Sequence, residues 1–371
     1  MRILKDLNAN SLKIMIIQLI QVAIGYRKQL SQVLSEKEWW QLHEQSKLQA
    51  VAGVCLAGVG KLPKEQWPPK DLLKKWMGLS EVIKLQNTIK DEQSATMWRQ
   101  LKEAGLDAAV LKGQGIACGY GELAPLRQSG DIDIWVLGGY QKVCDYVQRT
   151  HPTEDVAYHR FHYDAFPKTE VELHHRPTLM RNLLDDRKLA RWYNSYRGKD
   201  FVFLEDKGFA VPPTDFNAIF ILTHIYRHFL FEGIGLRQVM DYYFLLKNSH
   251  TESTEITEII KTLKSFRLER FASAMMWVLH EMFGLEEKKM ICPMDEKEGR
   301  FVLNEIMLTG NFGKADTRYQ YKRLFKLRHH ISHGSHLLMH YPSEVIWTPV
   351  WLLYHRWWKW NKKRGIRKGR V

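Results

Sequence analysis

Cysteines are scarce in this sequence, and their positions exclude two kinds of site. The chain has 371 residues and four cysteines, Cys55, Cys118, Cys144 and Cys292, none of them in a short paired spacing. Such scattering is not typical of a disulfide framework or of a cysteine-rich zinc site. It favours a reducing compartment, so we expect a cytoplasmic protein.

Long apolar runs are also missing. A helix that crosses a bilayer needs about 20 consecutive apolar residues, and no such stretch occurs. The most apolar N-terminal segment, residues 12–24, is interrupted by Lys13, Gln18 and Gln21. It also lacks the small-residue cleavage site of a signal peptide. This segment therefore predicts a buried helix.

Acidic residues are outnumbered by basic ones. There are 55 Lys and Arg against 41 Asp and Glu, a formal net charge of +14. A balance of this kind favours anionic partners, such as a nucleoside triphosphate, RNA, a phosphorylated sugar or an anionic membrane surface.

Two common phosphate-binding motifs are absent. No G-x-x-x-x-G-K-S/T loop exists. Gly113-Gln114-Gly115 follows a predicted strand, but the dinucleotide fingerprint needs a third glycine where Cys118 stands. A dinucleotide-binding fold is therefore not expected.

Helical periodicity dominates the rest of the chain, without internal repeats. We predict an α+β protein in which a small α/β core, residues 106–176, is embedded in a mainly helical chain. The flanking parts are an N-terminal helical region (1–105), a C-terminal helical region (177–340) and an aromatic and basic tail (341–371). Strands are predicted over residues 108–111, 132–136, 156–166 and 169–174. Helices are predicted over residues 35–55, 71–104, 140–150, 186–193, 214–231, 238–247, 253–264 and 268–283.

The segment Asp131-x-Asp133 is the main candidate for chemistry. On a strand, residues i and i+2 point to the same face, so the two carboxylates would repel each other unless a cation lies between them. Hard oxygen ligands suit Mg²⁺, which also takes substrate phosphate oxygens. A solvated strand end is the alternative explanation for a D-x-D pair.

A third carboxylate follows on the strand at 169–174. Glu172 alternates with the apolar Val171 and Leu173 and is a better candidate than Glu170. Three carboxylates on two neighbouring strands can hold two metal ions for displacement at phosphorus. Upstream, Lys112-Gly113 stands at a strand-to-helix junction, where an ammonium and backbone N–H groups could hold phosphates.

These residues resemble the uncharacterised nucleotidyltransferase family of the DNA polymerase β-like superfamily. The resemblance depends on Leu111-Lys112-Gly113, Tyr120, Arg127, the run at residues 130–136 and Glu172-Leu173-His174. Weaker similarities to the same family occur at His224, His228, residues 236–241 and residues 310–313.

The resemblance implies a small mixed sheet and a nucleotidyl-transfer reaction. In that reaction a nucleoside monophosphate passes from an NTP to an unidentified acceptor with Mg²⁺ (or Mn²⁺), releasing pyrophosphate. It implies that Asp131, Asp133 and Glu172 are the metal ligands and catalytic residues. It further implies that four residues bind the triphosphate: Lys112, Gly113, Arg127 and Gly130.

One departure from the superfamily supports a second hypothesis. The usual Gly-Ser pair of the phosphate site is missing, and Lys112-Gly113 stands in its place. The alternative is a non-catalytic nucleotide-binding or regulatory protein of the same fold, tied to polysaccharide assembly or to a membrane surface.

Histidines and helical polar residues leave several alternatives open. On a helix, His329, His333, His336 and His340 would share a face, as a zinc site or, as we expect, a polar or phosphate-facing surface. His174 is expected to brace Glu172. Core hydrogen bonding or an acceptor pocket would account for the remaining polar residues, His224, His228, Arg237 and Asp241.

The C-terminus combines tryptophans with basic residues. Residues 345–360 hold five tryptophans, and six Lys and Arg follow them without an acid. This pattern suits peripheral contact with an anionic membrane, contact with RNA, or a helix that packs its tryptophans and ends in a solvated tail.

Overall fold

The computed structural model describes residues 11–249, 253–313 and 336–367. The α-helices are α1 (Ser11–Ala23), α2 (Glu36–Leu48), α3 (Ala52–Lys61), α4 (Lys70–Glu103), α5 (Lys112–Ala117), α6 (Gly139–Thr150), α7 (Leu183–Tyr193), α8 (Thr214–Phe231), α9 (Leu236–Asn248), α10 (Ser253–Ser265), α11 (Glu269–Phe283), α12 (Glu296–Thr309) and α13 (Pro342–Arg367). The strands are β1 (Ala108–Leu111), β2 (Ile132–Val136), β3 (Arg160–Phe166), β4 (Thr169–His174), β5 (Val202–Leu204) and β6 (Phe209–Val211).

The α+β architecture is confirmed, and most predicted elements lie where the sequence placed them. The capping box that begins α2 is present: Ser35 Oγ accepts from the Glu38 N–H, and the Glu38 carboxylate accepts from the Ser35 N–H at 2.8 Å. Helix α1 covers nearly all of the apolar segment at 12–24, and most side chains of this segment are buried. In the part of the chain that the structure describes, no helix is long and apolar enough to cross a membrane.

Three local predictions were wrong. The helix predicted over 35–55 is broken into α2 and α3, because Ala50 takes the left-handed φ of 56°. The third strand begins at Arg160, and Val156 makes only an isolated bridge to Phe161. Helix α7 begins at Leu183, three residues before its predicted start at residue 186.

The main sheet is mixed, with strand order β1-β2-β4-β3. β2 and β4 are parallel, and the two outer pairs are antiparallel. Because side chains alternate along a strand, the sheet has two different faces. One face is apolar and packs with α4 and α6 around a buried core that includes Val110, Ile134, Phe161, Leu173 and Val143.

The opposite face carries the polar residues and is covered by the helical region. Trp135 lies on this face, two residues after Asp133, and stacks on Phe216 of α8 with ring centroids 5.0 Å apart. Trp135 also belongs to the larger core, which α1, α8, α9 and α11 fill with apolar side chains. The helices therefore form a wall that faces the polar side of the sheet.

The last helix, α13, packs against the α/β core. Trp358 meets Tyr140 edge-on at 5.8 Å, and Arg367 donates two hydrogen bonds to Glu154 at 2.8 and 2.7 Å. Most of the segment predicted as a tail is thus helical. Lys368 and Arg370, which were part of that prediction, lie outside the described residues.

Candidate active site

Asp133 and Glu172 lie opposite each other on the two central strands. The register of the parallel pair β2–β4 aligns Asp133 with Glu172 and Trp135 with His174. Both carboxylates are buried, with residue exposures of 3% and 7%. Glu170, by contrast, is exposed. Strand pairing therefore brings the predicted Asp133 and Glu172 together.

Three cationic or imidazole groups surround the two carboxylates. Lys112 Nζ lies 2.9 Å from Asp133 Oδ1, and Arg160 pairs with Glu172. His174 Nε2 lies 2.8 Å from Asp133 Oδ1 and 3.3 Å from Glu172 Oε2, so it bridges the pair. We predicted that His174 contacts Glu172, but His174 contacts Asp133 as well.

These neighbours determine the ionisation of Asp133. Burial alone would raise the pKa of this carboxyl, but Lys112 and His174 outweigh burial and hold the pKa well below its usual range. Burial lowers the pKa of His174, although Asp133 opposes that shift. At neutral pH the site therefore holds an Asp133 carboxylate next to a neutral imidazole.

The backbone directs Lys112 toward Asp133. Lys112 follows β1 directly and has a φ of 45°, a left-handed conformation that costs a non-glycine residue energy. Three residues on, a Cβ at Gly115 would lie 2.5 Å from the Val110 carbonyl oxygen. Only glycine permits this close return of α5 to β1, which explains Gly115 without a dinucleotide.

Asp131 lies just before β2 and belongs to a different group of charges. It is half-buried, and its charge opposes the lowering of the Lys90 pKa that burial causes. Asp131 also opposes the lowering of the Arg237 pKa that burial causes. Arg237 donates a hydrogen bond to the Gln128 carbonyl at 3.0 Å. Lys90 in turn donates to the carbonyl of Gly130.

Arg127 is held by a buried carboxylate. Its Nε and Nη2 donate to the two oxygens of Asp241 at 2.6 and 2.7 Å, and the Tyr120 hydroxyl donates to the same group at 2.6 Å. Asn87 of α4 donates to the Arg127 carbonyl at 2.8 Å. Arg127 reaches the cavity edge, but Asp241 already engages its guanidinium.

Helix α8 provides the wall opposite the sheet. Arg227 Nη2 lies 2.9 Å from His228 Nε2, and His228 Nδ1 lies 2.7 Å from Glu232. Burial and Arg227 lower the pKa of His228 to about 4, against the opposing effect of Glu232. Burial, with a contribution from Lys112, holds the pKa of His224 well below its usual range.

Sheet and helices enclose a cavity of about 290 Å³. Its charged lining comprises Lys112, Arg127, Arg160, Arg227, Arg237, Asp131, Asp133, Glu172, Glu232 and Asp241. The Nε atoms of Arg227 and Arg237 are buried and have no hydrogen-bond partner among the described residues. Buried guanidinium N–H groups without a partner are the groups that an anionic ligand would satisfy.

A metal ion would fit between the two strands. Asp133, Glu172 and His174 each offer a ligand atom, and these atoms lie within 4.8 Å of one another. Two carboxylates and one imidazole suit a divalent cation. Asp131 stands outside this group, although it lines the same cavity.

Sequence reasoning missed three basic residues that lie in the cavity or beside it. Arg227 lies three residues from His224 on the same helix, so the i+3 spacing was a usable signal. Arg160 lies opposite His174 in the β3–β4 register, but a register shift between Tyr163 and Phe166 hid that pairing. Lys90 of α4 gave no signal, because its contact crosses 40 residues of sequence.

The histidines near the C-terminus have carboxylate partners. His336 Nε2 lies 3.2 Å from Glu305, and His340 Nδ1 lies 2.9 Å from Glu298. His329 and His333, the other members of the predicted helical face, lie outside the described residues.

Family comparison identifies the chain. A family described as uncharacterised nucleotidyltransferase matches residues 35–284, which is more than half of the sequence. The chain belongs to this nucleotidyltransferase family. The matched region includes the whole sheet, both carboxylates and helices α8 and α9.

The remaining comparisons add little to this assignment. No curated protein matches the chain. Among solved structures, the crystal structure of an antigenic nucleotidyltransferase-like protein from Paracoccidioides brasiliensis matches with 10% sequence identity and a TM-score of 0.28. The match covers 48% of this chain and 92% of that one. A TM-score this low does not establish a common fold.

Proposed function

We propose that this protein is a metal-dependent nucleotidyltransferase that passes a nucleoside monophosphate from an NTP to an acceptor. The observation that carries the proposal is the buried pairing of Asp133 with Glu172 across β2 and β4. Family membership supports the reaction class. The new bond joins the acceptor oxygen to the α-phosphorus, and the α–β phosphoanhydride bond breaks to release pyrophosphate.

In this proposal Asp133 and Glu172 hold a divalent cation, Mg²⁺ or Mn²⁺, with Asp131 as the third carboxylate at the cavity edge. The cation, when bound, supplies positive charge against the phosphate oxygens. Glu172 also orients the acceptor hydroxyl and takes its proton. Lys112 breaks its ion pair with Asp133 and binds the triphosphate together with Gly113 and Gly130.

Arg237 is assigned to the triphosphate as well. Its Nε lacks a protein partner among the described residues, whereas Arg127 is engaged by Asp241. Arg127 therefore serves by positioning the loop that leads to Gly130. On the opposite wall, Arg227 and the neutral His224 face the space left for the acceptor.

A second candidate function follows from the same contacts. Lys112 and Arg160 already neutralise the two carboxylates, as a metal ion otherwise would. A regulatory subunit of this fold that binds nucleotide without turnover would need only these two ion pairs, and no metal ion, at the carboxylates.

The experiment that separates the two functions is pyrophosphate release from each of the four NTPs with Mg²⁺ or Mn²⁺. We expect slow release to water or to an added hydroxyl acceptor from one NTP. The release should be lost in Asp133→Asn. Nucleotide binding without release under every metal and nucleotide tested would favour the regulatory function.

A further inference from the structure

The outer face of α13 is an apolar stripe. Its residues are Ile346, Val350, Leu353, Trp357 and Trp360, with exposures of 63, 49, 68, 59 and 57%. The spacing alternates between four and three residues, so all five side chains lie within about a quarter of the helix circumference. Large apolar side chains that line up in this way on a surface mark an interaction site.

The opposite side of the same helix is fixed to the protein. Glu344 accepts hydrogen bonds from the Arg181 and Asn182 N–H groups at 2.7 and 3.0 Å. Further along, Trp358 packs on Tyr158 and Lys362 lies over the Tyr140 ring at 3.9 Å. The stripe is therefore held outward by contacts along the whole helix.

The charges of α13 indicate which kind of partner the apolar stripe binds. After Glu344 the sequence contains no Asp or Glu up to residue 371. Arg356 and Arg364 are exposed beside the stripe, and Lys359 and Lys363 are half-buried. A second copy of this helix would bring basic residues, and its one acid, Glu344, is buried and cannot pair with them. RNA would match the charge but would leave Ile346, Val350 and Leu353 in water.

We propose that α13 docks the protein on an anionic lipid surface. Apolar side chains of the stripe enter the boundary between headgroups and acyl chains, where tryptophan is favoured. The flanking Arg and Lys meet the lipid phosphates. The helix then lies in the plane of the interface and does not span it.

The test is flotation of the full chain with vesicles at low salt, comparing phosphatidylcholine alone with phosphatidylcholine containing phosphatidylglycerol. We expect binding to the anionic vesicles only. The double variant Leu353→Gln/Trp357→Gln should lower the bound fraction at least about tenfold. Arg356→Gln and Arg364→Gln should each weaken binding about fivefold, which corresponds to ~1 kcal/mol per charge.

A matched control is available on α4. Leu85 is 62% exposed beside Val82 on a helical face that also carries the Glu81–Lys84 ion pair. Leu85→Gln should leave vesicle binding unchanged, and circular dichroism should show all variants folded.

Three results would overturn the proposal. The first is no binding to anionic vesicles at low salt. The second is equal binding by the Leu353→Gln/Trp357→Gln variant. The third is a stripe-dependent dimer in sedimentation, or stripe-dependent RNA binding, without vesicle binding. None of these results bears on pyrophosphate release.

Discussion

Asp133 and Glu172 are register partners on parallel strands, and His174 Nε2 contacts both carboxylates. The strand pairing fixes their separation, so two acids that would repel each other are kept side by side in a buried site. Lys112 and Arg160 balance their charge.

The first prediction compares Glu172 with its exposed neighbour. Glu172→Gln should lower turnover at least about a hundredfold, because it removes a metal ligand and the proton acceptor. Nucleotide affinity should fall much less. Glu170→Gln is the matched control two residues away, and its turnover should equal that of the wild type. Steady-state pyrophosphate release with measured NTP affinity tests both, and equal losses in the two variants would contradict the assignment.

The second prediction separates Arg127 from Arg237. Arg127→Leu leaves the Asp241 carboxylate buried without its cationic partner, so the free energy of unfolding should fall by about 3–5 kcal/mol. Arg237→Gln removes one hydrogen bond to a carbonyl and should cost about 1 kcal/mol. Urea denaturation measures both.

Nucleotide affinity should rank the same two variants differently. Folded Arg237→Gln should bind NTP more weakly than the wild type, since Arg237 is assigned to the triphosphate. If Arg127→Leu is as stable as the wild type and only its nucleotide binding suffers, Arg127 is a direct phosphate ligand and our assignment is reversed.

The third prediction concerns Glu344 at the start of α13. Burial raises the pKa of this carboxyl from 4.5 to about 7, even though the Arg181 and Asn182 N–H groups oppose the shift. The folded protein thus holds this proton more tightly than the unfolded chain. Its stabilising contribution is complete below pH 4.5 and is lost as the pH rises through 7.

Glu344→Gln should remove this pH dependence. Between about pH 5 and pH 7 the wild type should lose about 2 kcal/mol of unfolding free energy relative to the variant. Taking the difference between the two proteins cancels the titration of the buried histidines. A difference that stays constant over this range would show that Glu344 is ionised at its ordinary pKa.

Sequence reasoning found the elements and the central acids because both leave short-range patterns. Alternation around Asp133 and around Glu172 predicted β2 and β4 with their observed bounds. The family resemblance implied a mixed sheet but not which strands pair, since a parallel partner lies far away in sequence.

What the sequence could not provide is register and long-range contact. The shift between Tyr163 and Phe166 moves the β3 register by one residue, which sets His162, and not Tyr163, opposite Glu172. Because one step of register exchanges the two faces of a strand, Arg160 could not be assigned to the site beforehand. The pairing of Arg127 with Asp241 spans 114 residues and leaves no local pattern.

The fourth prediction tests the central claim, that Asp133 and Glu172 form a divalent-metal site. Mn²⁺ binding can be followed by the loss of the free-ion electron paramagnetic resonance signal, with a non-hydrolysable NTP analogue present. Wild-type protein should bind Mn²⁺, and Asp133→Asn should bind it at least about tenfold more weakly. Asp133→Asn should also lose about 2 kcal/mol of stability, because Lys112 and His174 lose their charged partner. Mn²⁺ affinity that is the same in folded Asp133→Asn as in the wild type would contradict the account.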